Sequence, residues 1–179
     1  MRLFIAIEIQ EDIKEYLIGV QEKISNELAK VRWVNKPQMH LTLKFLGEVQ
    51  PNTEGNIKEI LRTVKFKPFS VNLDSIGVFP NENYIRVVWV GLKPEEKIIE
   101  LQNDIDESLE NLFGKEKDYK PHITLGRVKF IKKENKTKFV ETIKNIKVEG
   151  KKIEIKDFRL IKSTSTEKGP VYGDIGIFK

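Results

Sequence analysis

MHLTLKFLG, residues 39–47, has the period-2 pattern of a strand with one face in a core: Leu41, Leu43 and Phe45 alternate with His40, Thr42 and Lys44. By strict alternation the histidine, the threonine and the lysine share the polar face. The chain of 179 residues contains two histidines in all. The other, His122, stands in HITL (122–125), which repeats the order histidine, aliphatic, threonine, leucine of HLTL (40–43). From composition alone, the chance that both histidines carry Thr at +2 and Leu at +3 is on the order of one in a hundred thousand.

Working outward, the elements around the two motifs also repeat. In the first half, RLFIAIEI (2–9) reads as a strand and residues 11–30 carry helical apolar spacing. The His40 strand follows, then a helix over 53–64 and a strand over 69–80 ended by proline. The second half reads as a strand over 85–92, a helix over 94–113 with Pro94 in its first turn, the His122 segment, a helix near 134–145 and a strand over 152–161. Arg86 follows Arg2 by 84 positions and His122 follows His40 by 82. A near-constant offset across matching elements is the mark of a duplicated lobe pair. No low-complexity linker separates the halves, so the reading is a single bilobal domain, with repeats of about 1–82 and 83–179.

Composition narrows the chemistry. With no cysteine, disulfides, thiolate metal sites and a thiol nucleophile are all excluded. Two histidines without a neighbouring carboxylate cluster fall short of the usual three or four zinc ligands, so no metal or other cofactor is expected. A net charge of +5 with pI near 9.2 favours polyanionic partners, although 26 of the 32 basic residues are lysines spread along the whole chain. The apolar stretch of MRLFIAIEIQED is too short for a signal or a membrane span, giving an expectation of a cytoplasmic, membrane-independent monomer.

In each motif, residues i and i+2 present an imidazole and a hydroxyl on one face. Two such strands meeting about an approximate twofold axis would form a cleft with two of each. Two facing imidazoles suit phosphodiester cleavage, because in-line displacement needs a base at the entering oxygen and an acid at the leaving one. Imidazole, with a pKa near 6.5, serves both.

The segments HLTLKFLG and PHITLGRV, with RLFIAIEI, RWV, GVFPNENYIRVVWVGL and the C-terminal GPVY, resemble the 2H phosphoesterases of the bacterial and archaeal LigT/ThpR type, known as 2′-5′ RNA ligases or RNA 2′,3′-cyclic phosphodiesterases. The resemblance implies an α+β fold in which two mainly antiparallel sheets flank a central cleft, with helices outside. It implies hydrolysis of RNA 2′,3′-cyclic phosphate ends, tRNA fragments and nucleotides among them, to 2′-phosphomonoesters. His40 is then the proton donor and His122 the acceptor, with Thr42 and Thr124 holding the phosphate. Ligation at the same site, or a non-catalytic RNA- or nucleotide-binding module, stays open as an alternative.

Further candidates are less sharply defined. Arg127 lies five residues after His122 and would face away in a regular strand, unless a bulge at Gly126 returns it to the cleft to bind phosphate. Lys44 is either a phosphate ligand or a solvated lysine. Trp33, Phe45 and Tyr172 either stack on a base or belong to the core. The polar run at 162–172 is either a covering loop or a hairpin.

Overall fold

The computed structural model describes residues 1–179. In chain order the elements are β1 (Arg2–Glu8), α1 (Glu11–Glu22), β2 (Ala29–Trp33), β3 (His40–Glu48), α2 (Glu54–Thr63), β4 (Phe69–Asn81), β5 (Tyr84–Lys93), α3 (Glu96–Ser108), β6 (His122–Ile131), α4 (Lys136–Asn145), β7 (Lys152–Ile155), β8 (Phe158–Thr166) and β9 (Gly169–Phe178). The strands follow the order β7-β4-β5-β6-β3-β1-β8-β9, with β2 also paired to β6, and every pairing is antiparallel. The two expected sheets are therefore two halves of one curled sheet. They are joined where Leu41 of β3 pairs with Ile123 of β6, the equivalent residues of the two motifs.

The sequence repeats do not coincide with the sheet halves. The half built on β3 and β1 is completed by β8 and β9 from the end of the chain, and the half built on β6 and β5 takes β2 and β4 from the beginning. The helices cross over as well: α1 packs behind β6 and α3 behind β3. One core cluster runs through both halves, including Leu3, Leu41, Leu43, Val88, Ile123 and Leu125. Neither repeat can bury its apolar face without the other.

Three expected elements differ in extent. The helix over 11–30 ends at Glu22, because Ala29–Trp33 pairs with β6 and the chain must turn at 23–28 to reach it. In that turn the Asn26 side chain accepts the Trp33 indole N–H at 3.0 Å. The helix expected over 94–113 is α3, which begins at Glu96, so Pro94 precedes its first turn. The strand over 152–161 is two strands that serve opposite halves of the sheet, β7 beside β4 and β8 beside β1. Residues 162–172 belong to the β8–β9 hairpin.

Lys44 requires a correction, and the cause is a bulge present in both motifs. Ala6 pairs with Thr42 and Ile5 with Lys44, which leaves Leu43 unopposed; Trp89 pairs with Thr124 and Val88 with Gly126, which leaves Leu125 unopposed. An extra residue inverts the alternation beyond it. Lys44 consequently turns away from the His40 face and is buried, its ammonium bonded to Asp106 of α3 and to the Gly114 carbonyl at 2.6 Å. Phe45 takes the cleft side, where it is 64% exposed. The same inversion carries Arg127 to the cleft. At Gly126 a Cβ would lie 2.6 Å from Val31 and 2.7 Å from Trp33, so the position opposite Lys44 in the repeat admits only glycine without local rearrangement.

Removing one member of a buried ion pair strands the other charge. Lys44→Ala or Asp106→Ala should each lower the unfolding free energy by about 3–5 kcal/mol, and Lys44→Met with Asp106→Leu together should cost much less than the sum. Denaturant titration of the three variants checks this.

Candidate active site: the cleft between the sheet halves

A cleft of about 640 Å³ opens where the sheet halves meet. His40, Thr42, Phe45 and Phe4 line one wall, and His122, Thr124, Arg127 and Phe79 line the other. No aspartate or glutamate lines it, while Arg2, Arg32 and Arg127 all do. Such a cavity favours an anion.

Both imidazoles lie near the backbone two residues upstream. His122 Nδ1 lies 2.7 Å from the Lys120 carbonyl, which can only accept, so Nδ1 carries the proton and Nε2 keeps its lone pair. At His40 the Gln38 backbone, again two residues upstream, acts in the same sense and favours the protonated ring. The rings are wedged among aromatics. Phe4 stacks on His40 with centroids 4.9 Å apart, Tyr172 meets His40 edge-on at 5.3 Å, and Phe79 meets His122 edge-on at 4.9 Å. Burial in these apolar surroundings first, and the positive charges of Lys14 and Arg127 after it, together lower the His40 pKa to about 4 against the opposing effect of the Gln38 backbone. His122 is lowered by the same causes, burial first and Arg127 after it. Both shifts favour the neutral imidazole at pH 7.

Segment 114–120 links the two walls. The Gly114 carbonyl accepts from Lys44, the Glu116 N–H donates to Asp106 at 2.7 Å, and the Tyr119 hydroxyl donates to the Thr42 carbonyl at 2.9 Å. The segment then delivers Lys120 to His122. Burial raises the Tyr119 phenol well above its ordinary range, so this donor stays protonated. In the other half, Gln21 of α1 donates to the carbonyls of Leu125 at 2.8 Å and Val34 at 2.9 Å, tying the second bulge to its backing helix.

The cleft thus brings together His40, Thr42, His122, Thr124, Arg127, Phe45, Tyr172 and Trp33, and leaves Lys44 out. The Trp33 indole N–H is occupied by Asn26 and its ring covers Gly126. Sequence reasoning missed Phe4, Phe79 and Arg32. Phe4 lies in a continuous apolar run and Phe79 precedes a proline, so neither carries a signal, whereas Arg32 is visible only through its strand partner.

A bilobal α+β sheet folded about a cleft with one HxT strand on each wall defines a class of phosphoesterase. The chain matches the LigT like Phosphoesterase family twice, over residues 7–89 and 90–172, and it belongs to that family. An RNA 2′,3′-cyclic phosphodiesterase of Methanocaldococcus jannaschii is 45% identical over 175 residues, covering 96% of both chains. One from Archaeoglobus fulgidus is 36% identical over the full length of each. Among solved structures, TT0787 of Thermus thermophilus superposes with a TM-score of 0.80 at 28% identity, covering 99% of this chain and 97% of that one. E. coli LigT complexed with ATP superposes at 0.75 with 25% identity, covering 98% and 95%. No helix is long and apolar enough to cross a membrane.

The lowered His40 pKa has a consequence for stability. Between pH 6.5 and about 4 the unfolded chain takes up a proton at this site that the folded chain refuses. Stability therefore falls as the pH drops through that window, by about 3 kcal/mol from His40, and this share is fully restored above pH 6.5. Urea unfolding at pH 7 and pH 4.5 should show a smaller loss in His40→Asn than in the unaltered protein.

Proposed function

We propose that this protein is an RNA 2′,3′-cyclic phosphodiesterase in which His122 is the general base and His40 the general acid. The single observation that carries the reading is the symmetric pair of half-buried imidazoles. His122 is fixed by the Lys120 carbonyl, and both face a cleft with three arginines and no carboxylate. The names of the relatives point the same way.

In this mechanism water attacks phosphorus in line with the ribose 3′-oxygen, and His122 Nε2 takes its proton. The P–O3′ bond breaks, His40 protonates the departing 3′-oxygen, and a 2′-phosphomonoester remains. Thr42 and Thr124, with Arg127, donate to the non-bridging oxygens as charge builds on them. His40 must be charged for its part, yet burial disfavours the imidazolium. The phosphate anion supplies the missing counter-charge, so binding substrate itself arms the acid. All residues of this scheme come from one chain, and a monomer is a complete catalyst.

Hydrolysis of an oligoribonucleotide ending in a 2′,3′-cyclic phosphate, resolved against authentic 2′- and 3′-phosphate products, tests the reading. The 2′-phosphate should dominate, and His40→Ala or His122→Ala should each lower kcat by at least ~100-fold with folding retained. Near-normal turnover in either variant would sink the mechanism. Because both imidazoles are lowered in the free protein, kcat/KM should trace a bell with its maximum below pH 6.5. A plateau extending through pH 8 would count against the pair.

A further inference from the structure

Arg32 has no part in the chemistry above, and its placement is costly. In the β2–β6 register it is the direct cross-strand partner of Arg127, and both line the cleft. Like charges directly opposite one another weaken a sheet. Arg2 and Arg159 each have a carboxylate partner, but neither Arg32 nor Arg127 has one within 4.0 Å. The β8–β9 hairpin makes room for this unpaired cation: a Cβ added at Gly169, whose φ is +112°, would lie 3.2 Å from the Arg32 guanidinium. Gln38 holds the same hairpin in place, donating to the Pro170 carbonyl at 2.7 Å.

The two arginines differ in their reach. Arg127 depresses both imidazoles, so its charge lies close to the reacting centre, whereas Arg32 acts on neither. Tyr172 feels both guanidiniums, against the larger effect of its burial. Arg32 therefore stands one strand further from the chemistry, about 5 Å across the ladder, on the same cleft surface. A guanidinium fork suits a phosphate oxygen pair.

We propose that Arg32, beside Arg127, binds the phosphate on the 5′-oxygen of the terminal nucleotide, so that the cleft takes the last internucleotide phosphate of an RNA strand together with its cyclic end. The inference rests on the phosphodiesterase reading and adds to it a preference for strands over free cyclic nucleotides. Only the bound strand neutralises the paired arginines, which accounts for a residue that weakens the empty fold.

The test compares cytidine 2′,3′-cyclic phosphate with the dinucleotide CpC bearing the same cyclic end, in the unaltered protein, Arg32→Gln and Arg32→Lys. For the dinucleotide, kcat/KM should fall roughly tenfold or more in Arg32→Gln, with partial recovery in Arg32→Lys. For the mononucleotide it should stay within about twofold, since that substrate has no second phosphate to lose. Melting without ligand should be unchanged or higher in Arg32→Gln, as removing one of two facing like charges requires. An equal loss on both substrates, no loss on either, or a lowered melting temperature would overturn the proposal. Calorimetric binding of the two product 2′-phosphates decides it independently of turnover. If the unaltered protein hydrolyses neither substrate, the phosphodiesterase reading falls, while a dinucleotide-specific binding loss in Arg32→Gln would still sustain the second phosphate site.

Discussion

The structure depends on one antiparallel contact, Leu41 against Ile123, at the point where the two repeats meet. Because the partners are equivalent residues of the two motifs, the pseudo-twofold axis passes between them. His40 and Thr42 flank it on one strand, His122 and Thr124 on the other. Every other strand extends the sheet outward from this seam, and the crossed-over helices press against its back. The apolar positions Leu41, Leu43, Ile123 and Leu125 are fully buried, which leaves the alternate side chains no direction but the cleft.

The paired bulges turn a symmetric scaffold into an asymmetric site. In each strand the chain gains one residue after the threonine, and the following position rotates behind the sheet. The two halves use that position differently. One buries Lys44 on Asp106 and presents Phe45 to the cleft; the other packs Gly126 under Trp33 and presents Arg127. An aromatic on one wall thus answers a cation on the other. The same event therefore shapes both the packing behind the sheet and the polarity of the cleft.

Burial works against part of the chemistry it organises. Packing Phe4, Phe79 and Tyr172 around the imidazoles fixes their orientation and disfavours their charged forms. In the proposed mechanism a bound phosphodiester reverses that balance for His40 by bringing a negative charge into a cavity without carboxylates. In that mechanism His40 takes up the acid role on binding while His122 stays neutral as the base. The threonine of the first motif and the histidine of the second are braced by one segment, 114–120, so the two walls are set by a common support.

Much of this was legible in the linear order of residues. The duplicated histidine–aliphatic–threonine–leucine motif, at an offset of 82, marked the two strands and the cleft between them. Period-2 alternation is a local property, and it held through Thr42 and Thr124. It failed at Lys44, because a bulge depends on which residue of a neighbouring strand stands opposite. A glycine in the second motif hinted at the bulge, and a lysine in the first concealed it. The exchange of β8, β9, β2 and β4 between the halves, the aromatic wedges on the imidazoles and the facing of Arg32 with Arg127 were likewise decided by pairing between distant segments. Each of these contacts joins residues tens of positions apart, and the energy that selects them comes from closing one common core rather than from any local preference.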